Sequence, residues 1–233
     1  MITIIMPFYQ NQAMLARHYL EWSSWPPELR ARFRFIIVDD GSPTEPAAAI
    51  VRPVDVAIYR VLEDRPWHQH GARNLGAHVA EEGWLLLTDI DHMIERATAE
   101  RLVELEPVLH PASAYMFVRL EADTRLPNAK RHPNSFLLTR RRFWEIGGYD
   151  EDYCGVYGTD SLFRKRIPDI QYLDDSCPLV RYWRDIVPDA STRTLARKEG
   201  RDPGAKAAVR AMKRRQGRLH KITTLAFEWE RVC

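Results

Sequence analysis

The stretch LLLTDIDH, residues 85–92, leads from three leucines directly into two carboxylates that are one residue apart. A continuous apolar run of this kind is typical of a strand that is buried on both faces. Two like charges at the end of a buried strand raise the free energy unless another group compensates them. The stretch therefore predicts a buried strand over Trp84–Thr88 that ends at a polar site.

Other short runs rich in Ile, Val and Leu occur before this stretch, at Ile2–Phe8, Phe33–Val38 and Val56–Leu62. Segments with helical spacing lie between them. This alternation predicts an α/β fold with a mostly parallel central sheet flanked by helices. The other predicted elements are helices after Asn11, over Gly71–Glu82, over Arg140–Ile146 and near Thr159, and strands over Ala114–Leu120, Ser135–Thr139, Ile170–Leu173 and Leu179–Trp183.

Charge is distributed unevenly along the 233-residue chain, whose net charge is only +2. From Ala190 onward, 12 Lys and Arg stand against 4 Asp and Glu, a net charge of +8, whereas residues 1–189 have 22 against 28, a net charge of −6. Such a contrast indicates two differently charged regions. We therefore expect one α/β domain over residues 1–189 and a basic, helical C-terminal extension over residues 190–233.

The number of cysteines and the first residues of the chain indicate the cellular compartment in which the protein is expected. Three cysteines, Cys154, Cys177 and Cys233, are an odd number without the spacing of a metal site, which argues against a disulfide framework and against bound zinc. Met1 leads into an apolar strand pattern without a basic flank, and no apolar run reaches the about 18 residues that span a bilayer. We therefore expect a soluble, cytoplasmic protein with reduced thiols.

Polar or turn-forming residues follow three of the predicted strands. The first strand ends in Pro7-Phe8-Tyr9, the second in the DDGS turn of residues 39–42, and the fourth in residues 88–91. Ligands of open parallel sheets bind beyond the carboxyl ends of the strands. We therefore expect these three loops to border one crevice.

The carboxylates of Asp89 and Asp91 could both reach one divalent cation, directly or through water, which would compensate their like charges. Oxygen ligands select a hard ion such as magnesium or manganese (Mg2+ or Mn2+). His92 could supply a nitrogen ligand or lie nearby. The alternative is a turn with solvated aspartate caps, and the position of the pair at the same edge as the DDGS turn favours the cation.

Three further candidates each have a plain and a functional interpretation. Asp39 and Asp40 could be ordinary turn residues, or one of them could accept a hydrogen bond from N3–H of a pyrimidine base. Arg73 could be a solvated helix residue, or it could pair with a diphosphate or a base carbonyl. Asp160 could cap a short helix, or it could be a general base that accepts the proton of an attacking hydroxyl.

Four segments taken in order resemble the family 2 glycosyltransferases and their relatives with the GT-A fold. They are IIMPFY, FIIVDDGSP, HGARNLGAHVAEEGWLLLTDID and NSFLLTRRRFWEIGGYDEDYCGVYGTDSLFRKR, and they cover most of residues 2–167. Residues 147–166 also resemble the C-terminal motif of galactosyltransferase-type enzymes. The resemblance implies a GT-A fold and a metal-dependent hexosyltransferase that moves a sugar from a nucleotide diphosphate sugar, foremost a UDP-sugar, to an acceptor hydroxyl with inversion.

The resemblance also implies roles at the donor side. Pro7 and Tyr9 would line the nucleotide pocket, Asp40 or, as second choice, Asp39 would contact uracil, and Arg73 would lie near the base and the diphosphate. By the same resemblance, Asp89 and Asp91 would hold Mn2+ or Mg2+ against the diphosphate of the nucleotide sugar. Asp91 would be the closer ligand, and His92 is a further candidate ligand.

At the acceptor side, Asp160 falls where the family has its catalytic base, and Gly147, Gly148 and Tyr149 would border the acceptor. Two departures from the family pattern stand beside this. Thr159 precedes Asp160 where the galactosyltransferase-type relatives have an acidic residue. The late histidine ligand of many relatives is missing too, so that His92, water or the charge of Arg181 would take its place.

These departures support an alternative, a non-catalytic nucleotide-sugar or polyanion binding protein on the same fold; the retained carboxylates argue against it. The extension carries Arg210, Lys213, Arg214 and Arg218 at near-helical spacing with few large apolar residues. This pattern is typical of a solvated basic helix, and it favours a nucleic acid over a membrane surface as a partner. The acceptor is then a hydroxylated nucleic-acid base or otherwise a saccharide.

Overall fold

A computed structural model describes residues 1–128, 131–159, 161–183, 204–217 and 224–233. The predicted α/β class is confirmed, with a mostly parallel eight-stranded central sheet, a second four-stranded sheet and flanking helices. In these ranges the strands are β1 (Ile2–Phe8), β2 (Phe33–Asp39), β3 (Ala57–Val61), β4 (Trp84–Leu87), β5 (His92–Met93), β6 (Ala114–Met116), β7 (Val118–Glu121), β8 (Pro127–Asn128), β9 (Phe136–Thr139), β10 (Ile170–Tyr172), β11 (Pro178–Arg181) and β12 (Trp229–Arg231). The helices are α1 (Gln12–Ser24), α2 (Pro27–Arg30), α3 (Gln69–Val79), α4 (Arg96–Leu105), α5 (Arg140–Glu145), α6 (Ser161–Arg164) and α7 (Ala205–Arg215).

The central sheet has the strand order β10-β6-β9-β4-β1-β2-β3-β12. Its middle strand, β1, pairs in parallel with β2 on one side and with β4 on the other. All three strands are almost wholly buried because helices cover both faces of the sheet. The predicted carboxyl edge, at which β1, β2 and β4 end together, is therefore present.

Helix α1 begins and ends where the sequence predicts. Asn11 is its N-cap, and its side-chain oxygen accepts a hydrogen bond from the backbone N–H of Met14 at 3.2 Å. The helix ends before the Trp25-Pro26-Pro27 break, and Trp22 stacks on Phe35 of β2 with 4.3 Å between ring centroids. This contact fixes the helix on one face of the sheet.

The single strand predicted over Ala114–Leu120 is wrong, because the chain forms two strands there. β6 belongs to the central sheet, where it pairs with β9 and β10, whereas β7 belongs to the smaller sheet of order β5-β11-β7-β8. The buried Phe117 separates the two strands. The smaller sheet also brings Arg181 of β11 into register with His92 of β5.

The C-terminal extension contributes to the main body of the protein. Strand β12, which the sequence did not predict, pairs antiparallel with β3 and covers the edge of the central sheet. Trp229 packs edge-on against Tyr59 of β3, with 5.9 Å between ring centroids. Helix α7 is the described helical part of the extension, and the predicted boundary at residues 189 and 190 lies outside the described residues.

Two further findings concern the thiols and the membrane-spanning length of the helices. Cys154, Cys177 and Cys233 are free thiols. Among the helices that the structure describes, none is both long enough and apolar enough to cross a membrane.

Gly76 of α3 sets the distance between this helix and the central strand. A Cβ atom at this position would overlap Cγ2 of Ile5 in β1. We expect Gly76→Ala to lower the free energy of unfolding by about 1–3 kcal/mol through overpacking, in spite of the better helix propensity of alanine. Urea denaturation measures this, with His78→Ala at an exposed site of the same helix as the control. An unchanged midpoint for Gly76→Ala would contradict the close approach.

Candidate functional site

The loops that follow β1, β2 and β4 meet at one edge of the central sheet, as expected from the parallel pairing. The backbone N–H of Asp40 donates to the carbonyl of Phe8 at 2.8 Å, and that of Thr88 donates to the carbonyl of Ile5 at 3.2 Å. The antiparallel strand β9 begins at the same edge, and the hydroxyl oxygens of Ser135 and Thr88 lie 3.2 Å apart. Four chain segments therefore contribute side chains to this place.

Asp39 and Asp40 have different environments although they are adjacent. The buried carboxylate of Asp39 accepts from the backbone N–H of Ser42 at 2.9 Å and from that of Ala47 at 2.8 Å. Burial raises its pKa above the usual range, although these hydrogen bonds act in the opposite direction. Asp39 therefore holds the turn together, and both of its oxygens are used for this.

Asp40 pairs with a histidine that the sequence analysis did not single out. Its Oδ1 lies 2.8 Å from Nδ1 of His68, and since a carboxylate only accepts, Nδ1 is the donor. Phe227 of the C-terminal segment packs edge-on against the His68 ring with 4.5 Å between ring centroids. A Cβ atom at Gly71 would overlap the same ring. The orientation of His68, and with it that of Asp40, is therefore fixed from two sides.

Pro7 and Tyr9, the other candidates for the nucleotide pocket, are both half-buried at the end of β1. The Tyr9 hydroxyl donates to Oδ2 of Asp64 at 3.3 Å. Gly41, at φ +76°, lets the DDGS turn pass close to the same segment, because a Cβ there would lie 2.6 Å from the carbonyl oxygen of Glu63. The loops after β1, β2 and β3 are thus in contact.

Arg73 is fully buried and forms an ion pair with Asp89. Its guanidinium also donates to Oε1 of Gln69 at 2.8 Å and lies 5.5 Å from the centroid of the Tyr149 ring. Within the described residues its Nε has no hydrogen-bond partner. Arg73 is therefore a core residue whose charge is directed at the first carboxylate of the D-x-D stretch.

Histidines surround this D-x-D stretch. Nε2 of His132 lies 3.1 Å from Oδ2 of Asp89, and Nδ1 of His92 lies 2.7 Å from Oδ1 of Asp91. The rings of His92 and His132 lie 4.3 Å apart between centroids, and Nε2 of His18 contacts the carbonyl of Ile90 at 2.8 Å. One imidazole thus faces each carboxylate.

The protonation states in this cluster follow from burial and charge. Burial lowers the pKa of His92 to about 4, so this ring is neutral at pH 7 and donates through Nδ1–H to Asp91. Burial would raise the pKa of Asp91, but the interactions with His92, then His132, then Arg181 outweigh it and hold the pKa at about 2. Asp91 is therefore ionised, and Nε2 of His92 keeps its lone pair.

The donor atoms fit a divalent cation in type. The Asp89 and Asp91 side chains are 28% and 20% exposed, and the buried Nε2 of His92 has no hydrogen-bond partner in the described part of the chain. Carboxylate oxygens and a neutral imidazole nitrogen suit manganese or magnesium. In the arrangement observed, however, no three His, Cys, Asp or Glu side chains converge as a metal site within the described ranges.

The predicted acceptor side is built around helix α3. Gly147 and Gly148 have positive φ angles of 89° and 60°, which turn the chain back toward the helix. Asn74 then holds the next residue, because its Oδ1 accepts from the N–H of Tyr149 at 2.7 Å and its Nδ2 donates to the carbonyl of Tyr149 at 2.8 Å. The Tyr149 ring is buried and stacks on Phe163 at 4.3 Å between ring centroids, so this side chain is part of the core.

Asp160, the predicted catalytic base, lies outside the described residues. Its neighbours in the chain are described. The hydroxyl of the buried Thr159 lies 3.2 Å from Nε2 of His70, and α6 begins at Ser161. The residue just before Asp160 is therefore anchored to α3, the helix that also carries Arg73 and Asn74.

The family assignment rests on the sequence of most of the chain. Residues 3–166 match the model of glycosyl transferase family 2. The chain belongs to this family. Each candidate residue from Pro7 to Asp160 lies inside the matched range. A search of the curated proteins gives no match to this family 2 member.

Solved structures show the fold of this family 2 member to be GT-A. TarS of S. aureus, residues 1–349, has 16% identity and a TM-score of 0.61, and the alignment covers 84% of this chain and 64% of that chain. The mannosyltransferase PcManGT from Pyrobaculum calidifontis, in complex with GDP-Man and Mn2+, has 17% identity and a TM-score of 0.58 over 91% and 68% of the two chains. GalNAc-T7 with UDP, GalNAc and Mn2+ has 14% identity and a TM-score of 0.56 over 78% and 44%. This family 2 chain therefore spans less than two thirds of the TarS 1–349 chain.

Sequence reasoning on this family 2 member missed His68 and His132. His132 could have been found, because it lies shortly before a predicted strand, and the amino end of an antiparallel strand meets the carboxyl ends of its neighbours. His68 lies in a segment without a strand or turn motif. Its pairing with Asp40 joins positions 28 residues apart, and no local pattern indicates it.

Asn74 offers a test of how the backbone of Tyr149 is held. Asn74→Ala removes both hydrogen bonds to the Tyr149 backbone, and each buried backbone group that loses its partner costs about 1–3 kcal/mol. We expect the free energy of unfolding to fall by about 2–4 kcal/mol, measured by urea denaturation. The exposed Gln171→Ala should change it by less than about 0.5 kcal/mol. Equal effects of the two substitutions would show that the hydrogen bonds of Asn74 to the Tyr149 backbone do not stabilise the fold.

Proposed function

We propose that this family 2 member is a glycosyltransferase that moves a sugar from a UDP-sugar to an acceptor hydroxyl. One observation carries the proposal. Asp40 follows β2 while Asp89 and Asp91 follow β4, and both strands are neighbours of β1. Adjacent strands lie about 4.8 Å apart, so the backbones at the ends of β2 and β4 are roughly 10 Å from one another. That separation suits a nucleoside diphosphate, with its base at Asp40 and its phosphates at the D-x-D stretch.

At the uracil end, the Asp40 carboxyl group supplies an acceptor for the N3–H of the base. The pairing with His68 leaves the second carboxylate oxygen for the base, because the 2.8 Å hydrogen bond uses Oδ1. Asp39 is unsuited to this role since both of its oxygens hold the turn. The structures of TarS with UDP and with UDP-GlcNAc support a uridine donor, whereas the one of PcManGT contains GDP-Man.

At the diphosphate end, Asp89, Asp91 and His92 are the residues that would hold manganese or magnesium. When bound, such a cation stabilises the negative charge that develops on the departing diphosphate. Arg73 contributes a fixed positive charge beside Asp89, and Arg181 lies in register with His92 on the smaller sheet. Arg181 would thus supply positive charge that balances part of the diphosphate charge.

The proposed chemistry is a single displacement with inversion. Asp160 takes the proton from the acceptor hydroxyl while the hydroxyl oxygen attacks the anomeric carbon, and the bond from that carbon to the diphosphate oxygen breaks. The anchored neighbours Tyr149 and Thr159 support a fixed position for the segment that leads to this residue. Arg210 and Arg214 are exposed, so a hydroxylated nucleic-acid base belongs among the acceptors to be screened, beside saccharides.

The donor site is tested by calorimetric titration of UDP, first with manganese and then with a chelator. We expect UDP to bind only with manganese and expect Asp91→Ala to lose this binding, because the substitution removes an ionised ligand. Asp175→Ala, at an exposed position, is the matched control and should bind as the unchanged chain does. If the unchanged chain binds GDP and not UDP, the uridine donor is wrong; if it binds neither, the donor site is wrong.

The adjacent aspartates of the DDGS turn should respond differently to the same change. Asp40→Asn should weaken UDP binding about tenfold, because a hydrogen bond to a charged acceptor is stronger than one to a neutral amide. Asp39→Asn should leave binding unchanged but lower the free energy of unfolding by about 1–3 kcal/mol, since an amide NH2 would face a backbone N–H. Calorimetry and urea denaturation separate the two effects. If Asp39→Asn weakened UDP binding and Asp40→Asn lowered only the stability, Asp39 would be the residue that contacts the base.

A further inference from the structure

Helix α7 of the basic extension inserts one buried lysine into the main domain. The side chain of Lys213 is only 3% exposed, and its Nζ lies 2.8 Å from Oδ2 of Asp150 and 2.8 Å from Oδ2 of Asp152. The neighbouring Arg214 and Arg215 are exposed. The positive charge of Lys213 is therefore used inside the fold, in contrast to the sequence pattern that groups it with its solvated neighbours.

This ion pair network is buried and nearly balanced in charge. Asp150 and Asp152 are at least nine-tenths buried in the pair with Lys213. The guanidinium of Arg166 donates to the carbonyl of Gly148 and interacts with the charge of Asp150. Buried ion pairs add little to stability compared with apolar packing, but they require a specific geometry. Such a network is suited to fixing the orientation of the backbone that carries it.

The carboxylates belong to the segment of residues 150–159, which leads to Asp160. α7 contacts both ends of this segment, because Nζ of Lys206 also donates to the carbonyl of Gly158 at 2.5 Å. His70 of α3 contacts the carbonyl of Asp150 at 3.1 Å as well as the hydroxyl of Thr159. The segment is therefore held by both α3 and α7.

The C-terminal strand segment contacts the same region. Glu151 accepts from the backbone N–H of Leu225 at 3.3 Å and of Ala226 at 3.4 Å. Phe227 then packs on His68, the partner of Asp40. The described residues 204–217 thus touch the segment before Asp160 through α7, and residues 224–233 touch the pair of His68 and Asp40 through Phe227.

We propose that Lys213 is a positioning residue that fixes the segment of residues 150–159, and that α7 thereby completes the catalytic half of the site. The inference rests on the proposed function, because it gives Asp160 its role as base. Lys213 acts through its ion pairs with Asp150 and Asp152. Losing its charge should therefore reduce turnover and leave donor binding intact.

The test compares Lys213→Met with Lys213→Arg, which keeps the charge, and with Arg215→Met as a matched change at an exposed site of the same helix. UDP affinity is measured by calorimetry. Turnover is measured as hydrolysis of the UDP-sugar that the unchanged chain hydrolyses fastest, so that no acceptor is needed. Hydrogen exchange reports the protection of residues 150–159.

We expect Lys213→Met to keep the UDP affinity within about twofold, to lose turnover by about tenfold to a hundredfold through misplacement of the base, and to lose exchange protection in residues 150–159. Lys213→Arg should restore part of both losses, and Arg215→Met should cause neither. A folded Lys213→Met protein with normal turnover and protection would overturn the proposal. Lack of UDP binding by the unchanged chain would instead overturn the proposed function, and the exchange result would still stand.

A combined variant covers the case in which Lys213→Met fails to fold. Lys213→Met with Asp150→Asn and Asp152→Asn removes the three charges together, so that no buried carboxylate is left unpaired. We expect this variant to fold and bind UDP, with the same loss of turnover and protection. Normal turnover in the combined variant would show that the network is not needed to position the segment.

Discussion

Parallel pairing of β1 with both β2 and β4 is the constraint on which the rest of the structure depends. It makes three apolar strands end at one edge, so that the residues just beyond them must share a small volume. Strand β9 enters antiparallel beside β4 and adds the start of another segment, with His132 and Ser135, to that edge. The site is therefore a consequence of the sheet, and its polar groups lie there because the buried strands stop there.

Carboxylates that meet at one edge repel one another, and the fold places a basic side chain beside each of them. Arg73 faces Asp89, His92 faces Asp91, and His68 faces Asp40, each within ion-pair or hydrogen-bond distance. Lys213 does the same for Asp150 and Asp152 in the segment before Asp160. These partners hold the acidic side chains in defined orientations, and for Asp91 they also lower the pKa of the carboxyl group, so that this group is ionised.

The C-terminal extension has a different relation to the domain in the structure than its composition indicates. By composition it is a basic region separate from an acidic domain. In the described residues its strand β12 closes the sheet at β3, and its helix inserts Lys213 into the domain. A basic residue on a helix gives no local sign of whether it faces solvent or a buried carboxylate, because the partner lies more than 60 residues away in the chain.

The sequence by itself determined the strands β1, β2 and β4, the α/β class and the candidate carboxylates at the sheet edge, because continuous apolar runs and turn residues are local patterns. It also determined the N-cap of α1. Only the tertiary structure decided which aspartate holds its turn and which pairs with His68, which histidines join the site, and that the chain changes sheets at Phe117. These features depend on contacts between segments far apart in the chain, and such contacts are decided by packing and charge pairing that no short stretch contains.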